Sequence, residues 1–407
     1  MKTYESIRKF GYDLFVQCMQ EKNPVLSPVS AYLTLVMAGC GAGGTTRTEF
    51  NNVLGEDMVE RASDLMHTLT AKGEFLNLSI ANSVWIDQRF LLNPAWEETI
   101  KSLLGADVFS RDLPSCQTMK EINQWIAAQT NGLIDQLLTE PLGPKELIRL
   151  VLLNTIYFKG KWESPFAPFH THKEAFYLCD EQNNNWKEQL SHKTVQAHLM
   201  RNDTADVRYI TNDIAEGVLL PYQTNQERLS GFHVIDCLNT DRKHLGKGLG
   251  LIALKPRKNR LIRDVCRALS ECAVHELLSN SQPELVDLKL PKFKSSFDIN
   301  LIEPLTRIGL SECFDQNRSN LSQIGKDAKT GDTLYVSLVR QKAVLTVDEE
   351  GTEAAAATEL VGCLRAMSRP QKKLYFNEPF LYMIMDMERE LPLFIGILDN
   401  PDLLGEN

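Results

Sequence analysis

No stretch of this 407-residue chain is apolar for long enough to cross a bilayer as a helix, which takes about 20 consecutive apolar residues. Its first residues carry Lys2, Glu5, Arg8 and Lys9 where a cleavable export signal would need an apolar core. There is no positive excess either. With 44 Lys and Arg against 53 Asp and Glu, the formal charge of -9 gives neither nucleic acid nor a membrane as an expected partner. Paired cysteine spacing is missing: the nine cysteines form an odd set without a CxxC, against a zinc site or a disulfide scaffold and for free thiols. The GxSxG and HExxH patterns of hydrolases are absent, so an enzyme is not expected, and no cofactor is called for.

What is present is an ordinary globular composition, 43% hydrophobic and 24% charged. Length alone would suggest two domains. The informative stretch runs from Val347 to Phe376. It leaves an apolar strand (Lys342 to Val347), passes Asp348, Glu349, Glu350 and Gly351, and enters a run of small residues: Thr352, Glu353, Ala354, Ala355, Ala356, Ala357. From Thr352 the alternate residues Thr352, Ala354, Ala356, Thr358, Leu360 and Gly362 are uncharged, while the intervening set holds Glu353 and Glu359. That period of two describes a strand with one buried and one wetted face. No proline interrupts Gly351 to Met367, so nothing bars a central strand position.

This hinge, Asp348 to Ala357, resembles that of the serpin family. The family's pattern extends along the chain, from Asn23-Pro24-Val25-Leu26-Ser27-Pro28-Val29-Ser30 through Lys159-Gly160-Lys161-Trp162-Glu163 to the final Phe376–Ile384 and Leu391–Gly396 strands. The resemblance implies an α+β fold in one domain over residues 1–407, with three β-sheets, about eight or nine helices and an exposed reactive loop at 349–376. It implies that Ser27, Ser30, Asn154 and Gln341 lie where the main sheet parts. It places Trp162 at the breach where loop insertion begins. At Gln341 the family carries a histidine; glutamine donates and accepts like a neutral imidazole but does not titrate.

Independently of the resemblance, Leu150 to Phe158 is apolar on both faces apart from Asn154 and Thr155, the mark of a strand covered on both sides. An amide there needs partners. Leu78 to Ile86 reads as a strand, and Ile122, Trp125 and Ile126 mark a helix ended by Gly132. Ser27 beside Pro28 also reads as a helix cap.

The family's spacing from its first hinge acid, here Glu349, lands on Arg365, which makes Arg365-Ala366 the expected scissile bond. Arg369 precedes Pro370, an unfavourable leaving side. A guanidinium suits a protease pocket floored by an aspartate, so a trypsin-like serine protease is the expected partner, held as a covalent acyl complex by a monomeric inhibitor. Leu364, Met367 or Val361 in the scissile position would suit chymotrypsin-like or elastase-like enzymes. A non-inhibitory binding or storage protein on the same fold is the rival class.

Heparin is not the favoured partner. The basic run Arg242, Lys243, His244, Lys247, Lys255, Arg257, Lys258, Arg260, Arg263 and Arg267 is more simply a solvated surface, and residues 60–72 hold few bases. His170 and His172 lack a third ligand, so no metal site is expected. The sequons at Asn77, Asn202, Asn317 and Asn320 are short enough to arise by chance. Without a classical leader, the cytoplasm or leaderless export is the expected location. Polar stretches at Asn183–Lys187 and Gln223–Gly248 look like insertions.

Overall fold

The computed structural model describes residues 4–69, 76–130, 132, 134, 136–144, 147–179, 190–223, 248–258, 260–352 and 372–404. They form three sheets and, among the described residues, nine α-helices. The larger part of both apparent insertions lies outside them.

The sheet that positions the site contains β1 (Leu76–Asp87), β2 (Asp107–Arg111), β3 (Leu150–Lys161), β4 (Phe293–Asn300), β5 (Val336–Val347) and the two-residue β6 (Gly351–Thr352). Across it the order is β4-β5-β3-β1-β2, with β6 on β3. At its centre β5 and β3 run parallel, paired from Val336↔Leu150 to Val344↔Tyr157. β1 and β3 are antiparallel, with Asn82 opposite Asn154.

Alternation in β3 separates two cores. Leu150, Leu152, Ile156 and Phe158 join the main core, which includes Val29, Leu33 and Val36 of the helix Pro28–Cys40. That helix is apolar nearly all round and is buried accordingly. Ser27 caps it, its Oγ accepting from Ser30 N at 3.2 Å, with Pro28 preset for the first turn. Val151 and Leu153 instead pack with Trp85, Val344 and, from the outer helix Cys116–Gln129, Ile122 and Ile126. The wetted second face expected for an inserting strand is therefore only partly wet. It is covered near Leu153, and Lys159 is half-buried.

The outer helix stops at Gln129, and Gly132 follows at φ 78 with its N–H donating to Ala127 O at 2.8 Å. The nine-stranded sheet contains the antiparallel pair Phe380–Asp386 and Leu391–Leu398, buried throughout, with Val25–Leu26 beyond it at the edge. The first of these begins four residues later than the Phe376 expected. Pro379 has no N–H to give a ladder, so pairing starts after it. Lys372–Tyr375 forms a separate strand of the same sheet, parallel to Gln282–Pro291. The loop thus runs from one sheet to another. Phe90–Leu92 and Gly325–Asp327 make the third sheet.

Candidate functional site

β5 ends at Val347 and turns back at once. Asp348 N donates to Gly351 O at 2.8 Å, and the Asp348 carboxylate accepts from Glu350 N at 3.0 Å and Gly351 N at 3.1 Å. The chain then starts β6, with Gly351 opposite Lys161 and Thr352 opposite Gly160, antiparallel to β3. Gly351 sits at φ 149, and a Cβ there would lie 2.0 Å from Gly160 O. Only glycine fits this approach.

Trp162 holds the turn from the β3 side. Its N–H donates to Glu350 O at 2.8 Å, its indole Nε1 donates to Asp348 O at 2.9 Å, and its ring stacks on Tyr222 at 4.6 Å. Glu349 is held through its carbonyl by Phe166 N at 2.8 Å and through its carboxylate by Lys292 Nζ at 3.0 Å. Burial pushes the Glu349 carboxyl up, but hydrogen bonds to its own backbone and to Lys292 outweigh it and leave the group below its ordinary value. At Asp348 burial wins, and that carboxyl is raised.

Beyond Val344↔Tyr157 the β3–β5 register ends, and β6 begins in the gap. Three turns of pleat below lies a buried polar network. Gln341 Nε2 donates to Asn154 Oδ1 at 3.0 Å and to Ser27 O at 3.1 Å, while its Oε1 accepts from Ser27 N at 2.8 Å. Asn154 Nδ2 donates to Asn82 Oδ1 at 2.7 Å, which also accepts from Thr34 Oγ1 at 2.8 Å. A single hydrogen-bonded chain thus crosses the seam and ties both strands to the buried helix. Ser30 Oγ, next to it, is buried without a partner.

The structure brings together Ser27, Ser30, Asn154 and Gln341 in one region, and Trp162, Glu349, Glu350, Gly351 and Thr352 in another. Glu353, Ala354, Ala355, Ala356, Ala357, Val361, Cys363, Leu364, Arg365, Ala366 and Met367 lie outside the described residues. Sequence reasoning missed Asn82 and Thr34. Asn82 carried the same signal as Asn154, an amide within an apolar strand; Thr34 carried none.

It also missed the far anchor of the loop. Tyr375 OH donates to Asp287 Oδ2 at 2.5 Å, and Arg201 grips the same carboxylate with Nε at 2.9 Å and Nη2 at 3.1 Å. Lys372 pairs with Glu284 at 3.0 Å and lies 4.3 Å from the Tyr209 ring centre. These partners are far apart in sequence and form no motif. Among the described residues no group of three metal-binding side chains surrounds His170 and His172. In the basic run, Lys255 is matched to Glu216 at 3.6 Å and Glu378 at 3.4 Å.

The family model for serpins, serine protease inhibitors, matches residues 5–401. Human alpha-1-antichymotrypsin is 30% identical over 406 residues, covering 96% of this chain and 86% of that protein. Among solved structures, the thermophilic serpin Tengpin in its native state superposes with a TM-score of 0.83 at 25% identity, covering 98% of this chain and 94% of that one. Human thyroxine-binding globulin, solved with its hormone, gives 0.80 at 25% identity, with 98% of each chain covered. With the fold and nearly the whole length matched, the chain belongs to the serpin family.

Proposed function

We propose that this serpin inhibits a trypsin-like serine protease by being cleaved at Arg365-Ala366 and inserting its loop between β3 and β5. The observation that carries the reading is β6: the hinge already pairs with β3, antiparallel, in a gap at the top of a parallel seam.

The register says where the rest of the loop would go. Thr352 faces Gly160, so each further loop residue meets one earlier residue of β3. Ala354 then meets Phe158, Ala356 meets Ile156, Thr358 meets Asn154 and Gly362 meets Leu150. The β5 side agrees: the Asp348–Gly351 turn bond sets a register that brings Thr358 opposite Gln341, the residue paired with Asn154 now. Directly opposed residues share a face. Thr352, Ala354, Ala356 and Thr358 therefore point into the main core, where small side chains enter most easily, and Thr358 meets the amide network with a hydroxyl. Arg365 lies beyond the end of β3.

In the reaction, the protease serine Oγ bonds to the Arg365 carbonyl carbon, the bond to Ala366 nitrogen breaks, and the new amine leaves with a proton. Insertion along β3 then carries the acyl-linked protease the length of the strand, roughly 35–40 Å at about 3.3 Å per residue. Hydrolysis of the acyl bond competes, so a small, uncharged core face favours trapping.

Incubation with trypsin tests this. A denaturant-resistant complex and a released peptide beginning at Ala366 are the expected products. Cleavage with neither complex nor a rise in thermal stability would leave a carrier or storage role; a peptide beginning at another residue would move the scissile bond to Val361, Leu364 or Met367.

A further inference from the structure

The core-facing side of the inserting strand is accounted for by size; its other side carries charge. β3 and β5 contain four bases, Lys159, Lys161, Arg340 and Lys342, and no acid. All four alternate with the core-facing residues Phe158, Gly160, Gln341 and Ala343, so all lie on the outer face, the side of the outer helix. The loop from Thr352 to Gly362 contains two acids, Glu353 and Glu359, and no base. Both fall in its outward-facing set.

We infer that the outer face of the seam is a charge-matched seat for one occupant, the chain's own segment 353–362. This rests on the insertion reading above. The same register that aligns Thr358 with Asn154 sets Glu353 directly opposite Lys159 and diagonal to Lys161. On the β5 side it sets Glu359 directly opposite Arg340 and diagonal to Lys342. Opposite charges at these spacings attract across a ladder. Among the described residues, the side chains of Lys159 and Lys342 make no hydrogen bond or ion pair before insertion, although Asp298 lies opposite Lys342 across the β4–β5 ladder. Arg340 holds Asp298 in a two-pronged pair at 2.7 and 2.8 Å, which leaves it to bridge two carboxylates once Glu359 arrives.

The two acids are not equivalent. Lys159 is half-buried near the top of the strand. Glu359 comes beside Leu153, which is fully buried under residues that include Ile122 and Ile126 of the outer helix. A carboxylate at that depth depends more on its partner. The seat thus selects for a strand that is uncharged inward and acidic outward at two places six residues apart.

The test uses the full chain, with single reversals in the loop that leave the body untouched and one compensating reversal in β3. Measured with trypsin, Glu359→Lys is expected to raise the moles of inhibitor consumed per mole of protease about threefold, and Glu353→Lys about twofold. Each is also expected to reduce the gain in melting temperature that follows loop cleavage. Lys159→Glu combined with Glu353→Lys is expected to restore both readouts. Single reversals at wild-type values, or a double reversal no better than Glu353→Lys alone, would overturn the charge-matched seat while insertion stands. A wild-type protein that gains no stability on cleavage would overturn insertion itself.

Discussion

The two ends of the reactive loop are held by different physics. At the near end, Gly351 and Thr352 are held chiefly through main-chain groups: two ladder positions on β3, a turn closed by Asp348 and two bonds from Trp162, with the Glu349–Lys292 pair beside them. At the far end, Lys372–Tyr375 is held by four parallel positions and by side-chain charge, with Arg201 and Tyr375 sharing the Asp287 carboxylate. The first arrangement is the start of a strand that can lengthen. The second is an anchor reinforced by side chains of its neighbouring strands. On the proposed mechanism, cleavage at Arg365 would separate the growing end from the anchored one.

The sharpest way to break this contrast is at the growing end. Thr352→Arg would drive a guanidinium into the main core at the first step, at a cost of several kcal/mol. Complex formation with trypsin is expected to fall at least about tenfold while cleavage continues; an unchanged complex yield would rule out insertion from this hinge. Next in size is the seam itself. Asn154→Ala leaves Gln341 Nε2 and Asn82 with unmet hydrogen bonds and is expected to destabilise the uncleaved protein by about 2 kcal/mol, read from its denaturation midpoint.

At the anchored end, Asp287→Asn weakens the grip of Arg201 without removing a strand. Uncleaved protein warmed in solution is expected to lose inhibitory activity about fivefold faster, as the far strand frees the intact loop to enter the sheet. An unaltered rate would mean that the backbone pairing alone sets the anchor.

The smallest effect is on pH. Burial raises the Asp287 carboxyl, but Arg201 and Tyr375 outweigh it, so the folded group titrates below its unfolded value of about 3.9. Its stabilisation is present above that value and is lost as pH falls through the folded one. The stability difference between wild type and Asp287→Asn should therefore be constant near neutrality and shrink below about pH 4. Asp348 is raised instead while Glu349 beside it is lowered, so on acidification these two near-end carboxyls act in opposite directions.

Much of this was legible in the sequence because it is written locally. Two-sided apolarity marked β3, whereas the alternation from Thr352 to Gly362 lies, after Thr352, outside the described residues. Asn154 stood out as an amide inside that strand. Asp287, Arg201 and Tyr375 could not be found this way: each is an ordinary polar residue until the fold brings it to the others. Asn82 shared the signal of Asn154, yet its strand carries Asn77 and Ser79 as well, which diluted the contrast. The covered outer face was hidden for another reason, since which helix crosses a sheet is a property of topology.

One consequence follows from the contact between Gly351 and Gly160. A strand slipped by one residue would turn every side chain over, sending Glu353 and Glu359 inward and the alanines out. At 2.0 Å from Gly160 O, the missing Cβ of Gly351 is what admits the chain at this position, and neither Glu350 nor Thr352 could take its place. On the proposed insertion the hinge glycine would work as a frame marker, fixing the phase in which the eleven residues from Thr352 to Gly362 are read into the sheet.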